Sequence, residues 1–228
     1  GQRCFLVGNG PSLQLSDLEG LQKKGEITFG CNLVTKVFGE TSWRPDYYFL
    51  IDRICAKFQS EEINHAIGEI PLFTNITTYN IFREKPKNPV ILYNIAKDKY
   101  KVKRSPLAYY IPSGSTVMSL MIEMAVYMGF SEIYLIGCDC TSTFSGNTHF
   151  IKGYTDDKLK ARDAKKIIDR MRRLGIQSDD YEKYFLDGSL NAYTLLKEHA
   201  IKHGVTIYNA TRGGALEVFD RVDLDDFI

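Results

Sequence analysis

The segment from Ser115 to Met128 carries apolar residues on every side, with Val117, Met118, Leu120, Met121, Ile122, Met124, Ala125 and Val126 spread around a helical turn. A helix with no polar face has to be buried, here against a sheet. It stops at Gly129, a residue suited to a helix C-terminus. Glu132-Ile-Tyr-Leu-Ile-Gly137 then reads as the clearest central strand of the chain. The same alternation runs throughout. Cys4–Val7, Glu26–Gly30 and Asp46–Ile51 read as strands, Pro71–Asn75, Pro89–Tyr93 and Leu107–Ile111 as shorter ones, and Val205–Tyr208 as the last. Helices are expected at Ser16–Lys24 and Leu190–His203. Strands alternating with helices imply an α/β fold with a doubly wound, mainly parallel sheet.

The chain has 228 residues, 44% of them hydrophobic, which suffices for one core or a core with a lid. Three parts are expected: a Rossmann-like nucleotide-binding core over 1–151, a helical lid over 152–187, and a last helix and strand over 188–228 that complete the core. The lid stretch mixes Lys158, Lys160, Arg162, Lys165, Lys166, Arg170, Arg172 and Arg173 with acidic residues. It fits either a solvated helical face or a lid over a site. A second basic cluster, Lys97–Arg104, reads as a loop. Formal net charge is +1, so the chain as a whole is no polyelectrolyte partner for nucleic acid. No apolar run approaches the ~18 residues of a membrane span. No signal peptide is visible, and the abrupt opening at the first strand suits a domain trimmed from a longer chain. The odd set of five cysteines, Cys4, Cys31, Cys55, Cys138 and Cys140, sits in apolar runs and suggests reduced thiols in a cytoplasmic protein. Cys138-x-Cys140 lacks zinc spacing, so no metal-thiolate site is expected.

Strand Cys4–Val7 runs into Gly8-Asn9-Gly10-Pro11-Ser12-Leu13. Two glycines permit a sharp turn with close backbone approach. Pro11 suits a first helical turn and Ser12 its capping, so the segment reads as a phosphate-binding helix start. Ligands of doubly wound sheets sit at the carboxyl ends of the strands. Asn32, Asp52 and Asp139 fall at such ends, and Arg212 follows the last strand. Ser113-Gly114-Ser115-Thr116 precedes the buried helix and fits either a helix cap or amides and hydroxyls offered to a phosphate or ribose. His149 lies in a Gly/Ser-rich loop, where an imidazole suits acid–base work or phosphate binding.

Taken in order, Gly8–Leu13, Cys31-Asn32, Ser113-Gly114 and Met128–Asp139 resemble the bacterial lipooligosaccharide sialyltransferases that use CMP-sialic acid. The outline is shared with motility-associated transferase-like proteins and archaeal-type 6-hydroxymethylpterin diphosphokinases. Trp43–Tyr48 and Asn209–Phe219 are more similar to the diphosphokinase-like, surface-polysaccharide-associated branch. The resemblance implies that Asn9 and Gly10 touch the nucleotide phosphate and sugar, with Gly8, Ser12 and Ser115 beside them. It implies that Asn32 reaches the ribose or phosphate side, that Ser113 and Gly114 flank the donor, and that Asp139 holds ribose or cytosine. Thr141 and His149 stand where the sialyltransferases place phosphate-holding tyrosines. No histidine occurs from Phe150 to Glu198, the region of their catalytic histidine, and Ile111-Pro112 replaces an arginine before Ser-Gly.

Three readings follow. The first is a glycosyltransferase of surface-polysaccharide synthesis using a CMP-activated acid sugar and a glycan acceptor. His149 and Asp139 carry its chemistry, Asp52, Lys152, Tyr154 and Arg212 serve as charge stabilisers, and no metal is required. The second is a diphosphokinase using ATP and Mg²⁺, with Asp52 and Asp139 as metal ligands. The third is a non-catalytic nucleotide-binding module. A cytoplasmic location is expected, with attachment to the inner membrane face and self-association left open.

Overall fold

The computed structural model describes residues 1–94, 108–109, 116–141, 149–151, 168–169 and 171–228. These residues form a nine-stranded sheet in the order β6-β5-β4-β3-β2-β1-β7-β8-β9. The strands are β1 (Arg3–Val7), β2 (Ile27–Cys31), β3 (Tyr47–Phe49), β4 (Leu72–Asn75), β5 (Pro89–Asn94), β6 (Ala108–Tyr109), β7 (Glu132–Ile136), β8 (Thr206–Asn209) and β9 (Asp220–Arg221). Every pairing among them is parallel. The chain walks outward from β1 to β6, then returns to lay β7 on the other side of β1. The winding therefore reverses between β1 and β7, and a crevice opens there at the carboxyl ends of the strands.

Both sheet faces are covered, which explains why the strands read as unbroken apolar runs. In β1, Cys4 and Leu6 join one cluster and Phe5 and Val7 the other. The first cluster is roofed by α5 (Val117–Tyr127) and the long helix α6 (Tyr181–Lys202), the second by α1 (Leu15–Lys24). Stacked rings cross the strands on each face: Phe29, Phe49 and Phe73 at 5.4 and 4.7 Å on one, Phe5, Tyr134 and Tyr208 at 5.0 and 5.1 Å on the other. α5 is buried as its composition demands, with Leu120, Met121, Ile122 and Ala125 fully enclosed. Among the described residues no helix is long and apolar enough to cross a membrane.

Several expected elements change. α6 begins nine residues before Leu190 and passes residue 187 without a break. Its early turns place Phe185, Leu186 and Ser189 against the crevice at the strand ends. Val205–Tyr208 is followed by β9, a two-residue exposed strand without an apolar run. The short helices α2 (Arg53–Phe58) and α4 (Ile76–Tyr79) leave too few turns for a periodic signal, while α3 (Ser60–Ile67) buries Ile63 and Ile67, one turn apart. Residues 152–167 and the Lys97–Arg104 cluster lie outside the described residues.

Arg212, expected as a charge stabiliser at the site, instead clamps the fold. Its Nη1 donates to both carboxylate oxygens of Asp17, at 2.7 and 2.8 Å, and its Nη2 to Asp225 at 2.6 Å. Asp17 is buried in the first turn of α1, where its Oδ2 also accepts from the Gln14 amide at 3.0 Å. Replacing Arg212 by alanine leaves a buried carboxylate without its cation, so Arg212→Ala is expected to lower stability by about 3 kcal/mol. Urea unfolding measures this. Asp17→Asn in the same background should return part of the loss, and unchanged stability with lost nucleotide binding would contradict the clamp.

Glu123 on α5 gives a second expectation. Its Oε2 is buried without a hydrogen-bond partner among the described residues, and desolvation pushes its carboxyl up to about 8. The unfolded chain releases this proton near the ordinary value of 4.5 while the folded chain keeps it. The native state then holds more protons across pH 5–8, so its stability falls as pH rises through that window. Glu123→Gln should remove this slope and stabilise the protein at pH 8 by on the order of 3 kcal/mol. Parallel slopes for the two proteins in urea unfolding at pH 5, 6.5 and 8 would refute it.

Candidate functional site

The crevice is built where the chain leaves β1 and β7. The Gly8 amide donates to the Ile136 carbonyl at 2.8 Å and the Gly10 amide to the Gly137 carbonyl at 2.9 Å, which carries the sheet ladder into the turns. Side chains have no room there. A Cβ on Gly8 would lie 2.9 Å from the Gly137 carbonyl carbon, and one on Gly10 would lie 2.8 Å from Asp139 Cγ. Gly137 itself has φ +61°, a left-handed conformation that favours glycine.

The bare face of Gly10 lets the Asp139 carboxylate lie against the first turn. Asp139 Oδ2 accepts from the Ser12 hydroxyl at 2.9 Å and from its amide at 3.4 Å, and the Asp139 carbonyl accepts from the Ala215 amide at 2.7 Å. One buried residue thus ties together the ends of β1 and β7 and the loop after β8. This corrects the expected role of Pro11-Ser12. They form a turn, and α1 starts at Leu15 behind a cap built from Gln14 and Asp17. Ser12 is captured by Asp139 rather than by helix amides, so the phosphate-binding helix start expected there is absent.

Asn9 reaches sideways, its Nδ2 donating to the Cys31 carbonyl at 3.1 Å. Its own carbonyl accepts from the Phe150 amide at 3.1 Å, which pins the His149-Phe150 segment to the first turn. Asn32 caps the end of β2 in a left-handed conformation, φ +50°, and its carbonyl accepts from the Tyr48 hydroxyl. The Asn32 Oδ1 is buried and has no partner among the described residues. An unsatisfied acceptor of this kind is costly unless something donates to it.

These groups enclose a pocket of about 270 Å³. Gly8, Asn9, Gly10, Asn32, Asp139, Thr141 and His149 all line it, as the strand-end argument required. Ser12 stands behind Asp139 and does not line it. Asp52 caps α2 instead, its Oδ1 accepting from the Ile54 and Cys55 amides at 2.7 and 3.2 Å. It does not join Asp139 in the pocket, so the expected two-carboxylate magnesium site is not assembled from this pair. No group of three or more metal-ligating side chains converges among the described residues. Ser113, Gly114, Ser115, Lys152 and Tyr154 lie outside the described residues.

Of the opposite wall, sequence reasoning reached the helix start at Thr116 but not the α6 side chains. The wall consists of Thr116, Val117 and Met118 at the start of α5 and Phe185, Leu186, Ser189 and Tyr193 on α6. Phe185, Ser189 and Tyr193 recur every four residues on one helical face, a periodicity that would have revealed them once α6 was extended. The floor is thiol-rich but inert. Desolvation pushes Cys31 up to about 12 and Cys140 to about 11, and raises Cys138 and the Tyr193 phenol well above their ordinary values. All four stay neutral, and a neutral thiol is a poor nucleophile. Asp139 and His149 are the remaining acid–base side chains that line the pocket among the described residues.

With this geometry in place, comparison with known proteins is informative. Solved structures with a related fold include a variant of the sialyltransferase CstII in complex with CMP (13% identity, TM-score 0.46, covering 92% of this chain and 81% of that one). Another is CstII from Campylobacter jejuni with the substrate analogue CMP-3FNeuAc (13% identity, TM-score 0.44, covering 97% and 85%). No curated protein matches the chain. The family model described as 6-hydroxymethylpterin diphosphokinase MptE-like matches residues 1–144. That segment holds both glycine turns, Asn32, Asp139 and Thr141, while His149 and the α6 wall lie beyond it. The chain belongs to the 6-hydroxymethylpterin diphosphokinase MptE-like family.

Proposed function

We propose that the chain is a nucleotide-dependent transferase whose donor is a CMP-activated acid sugar and whose acceptor is a glycan hydroxyl of a surface polysaccharide. The observation that carries this reading is the composition of the pocket. It holds about 270 Å³, near the lower end of ligand sites at ~300 Å³. Among its described lining residues Asp139 is the sole carboxylate. A space of that size with one anion suits a nucleoside monophosphate better than a triphosphate with its metal.

The residues divide the work. The turn after β1 approaches the nucleotide with backbone only, because Gly8 and Gly10 carry no side chain. Asn32 Oδ1 accepts from a ribose hydroxyl or a base amine, which relieves its missing partner. Asp139, held by Ser12, accepts from the remaining hydroxyls. In the transfer the acceptor oxygen attacks the anomeric carbon, the bond from that carbon to the phosphate oxygen breaks, and CMP leaves with the bonding pair. The acceptor proton passes to His149, the lining imidazole. General-base help of this kind is worth about 10²–10⁴ in rate. A position at the inner membrane face, where lipid-linked glycans are built, would suit this reaction.

The family match favours a second reading, pyrophosphoryl transfer from ATP with Mg²⁺. A thermal-shift panel of CMP, CDP, UDP, GDP and ATP, each with and without Mg²⁺, separates the two. A ligand at 100 times its Kd adds about 2.7 kcal/mol to native stability. CMP or CDP should raise Tm without metal, and His149→Ala should retain that shift while losing at least about 100-fold in turnover. Stabilisation by Mg-ATP alone would replace the first reading with the second. CMP binding without turnover, unchanged by His149→Ala, would leave a binding module.

A further inference from the structure

We propose that Tyr193 is a positioning residue that holds the Thr116 hydroxyl away from the first amides of α5 and so keeps those amides open to the nucleotide phosphate. The inference rests on the nucleotide reading above and assigns a role to Tyr193, which lies outside the matched family segment. Thr116 is the N-cap residue of α5, with extended backbone at φ −96° and ψ 174°. A threonine there ordinarily turns its hydroxyl onto the second or third helical amide and satisfies it. Here its side chain makes no capping hydrogen bond. The hydroxyl instead meets the Tyr193 hydroxyl at 3.3 Å.

Tyr193 is well placed to hold it. It is 3% exposed, and its ring packs edge-on to Phe219 at 5.8 Å. Carried by α6 and enclosed there, the phenol is anchored on the side of the pocket away from the α5 amides. Of the opening amides of α5, that of Ser119 is satisfied by the Thr116 carbonyl at 3.1 Å. The two residues before it, Val117 and Met118, line the pocket. Helix-start amides have no intrahelical partner and attract anions, the more so as α5 runs eleven residues. The Asn32 Oδ1, a buried acceptor without a donor, stands in the same pocket and independently calls for a ligand. Tyr193 thus prevents the protein from capping with its own hydroxyl a site meant for a ligand.

Calorimetric titration of CMP and of cytidine into the wild type, Tyr193→Phe, Thr116→Ala and the double variant tests this. In Tyr193→Phe the freed Thr116 hydroxyl caps α5, so CMP should bind about fivefold more weakly while cytidine is unaffected. Thr116→Ala has no hydroxyl to cap with and should bind CMP within about twofold of the wild type. The double variant should return to the strength of Thr116→Ala, a coupling that a merely structural tyrosine would not show. Equal loss for CMP and cytidine, or no rescue in the double variant, would overturn the proposal. Thr116→Asp supplies an arm independent of Tyr193, since its carboxylate occupies the amides and should abolish the advantage of CMP over cytidine. Wild-type affinity for CMP in that variant would also overturn it. A wild type indifferent to CMP refutes the parent reading instead, and the same proteins are then titrated with ATP and adenosine.

Discussion

The turn after β1 and the end of β7 touch backbone to backbone, and the pocket is arranged around that contact. Two parallel strands usually diverge into separate loops once their ladder ends. Here the ladder continues through Gly8 and Gly10 to Ile136 and Gly137, so both loops leave the sheet in register. Asp139 then locks the arrangement by accepting from Ser12 across the seam. Because the seam is where the winding reverses, helices leave it on opposite faces and the crevice between them stays unfilled. Asn9, Asn32 and the His149 segment are each hung from this frame by hydrogen bonds to main chain or neighbouring loops.

The pocket presents dipoles more than charge. Three desolvated thiols and a neutral phenol form the floor and inner wall, and the described charge-bearing groups are few. In such a setting each hydrogen bond is strong and each unmade one is expensive. Selectivity then follows from matching donors to acceptors, as at Asn32, rather than from attraction of any polyanion. The stacked aromatic rings beneath, on both faces of the central strands, hold the strand ends that carry these acceptors.

Much of the fold was legible because burial leaves a strong mark. A helix apolar all round and strands without polar interruptions permit little besides a sheet covered on both faces. Most rim residues followed from topology: Gly8, Asn9, Gly10, Asn32, Asp139 and His149 meet because parallel strands put their carboxyl ends on one side, whereas Thr141 came from the family resemblance. What sequence did not reveal was of two kinds. Short elements such as α2, α4 and β9 are held by tertiary contacts and carry no periodicity. Long-range partnerships are equally silent. Nothing near Ser12 points to Asp139, 127 residues away, and nothing near Arg212 points to Asp17. Polar residues at strand ends looked alike, although Asp52 is a helix cap, Arg212 a clamp and Asp139 both a strut and a lining group.

The pairing of β1 with β7 also bears on how the protein comes into being. β1 emerges first and pairs with β2 almost at once, but its other edge has no partner until Ile136 has been made. At ~5–20 residues per second, that interval is roughly 6–25 s, during which a flat apolar strand edge stands open. The α6 wall comes later still. A nascent chain therefore completes its outer sheet long before the pocket is closed, and a strand that ends up interior to the finished sheet is for that time an open edge.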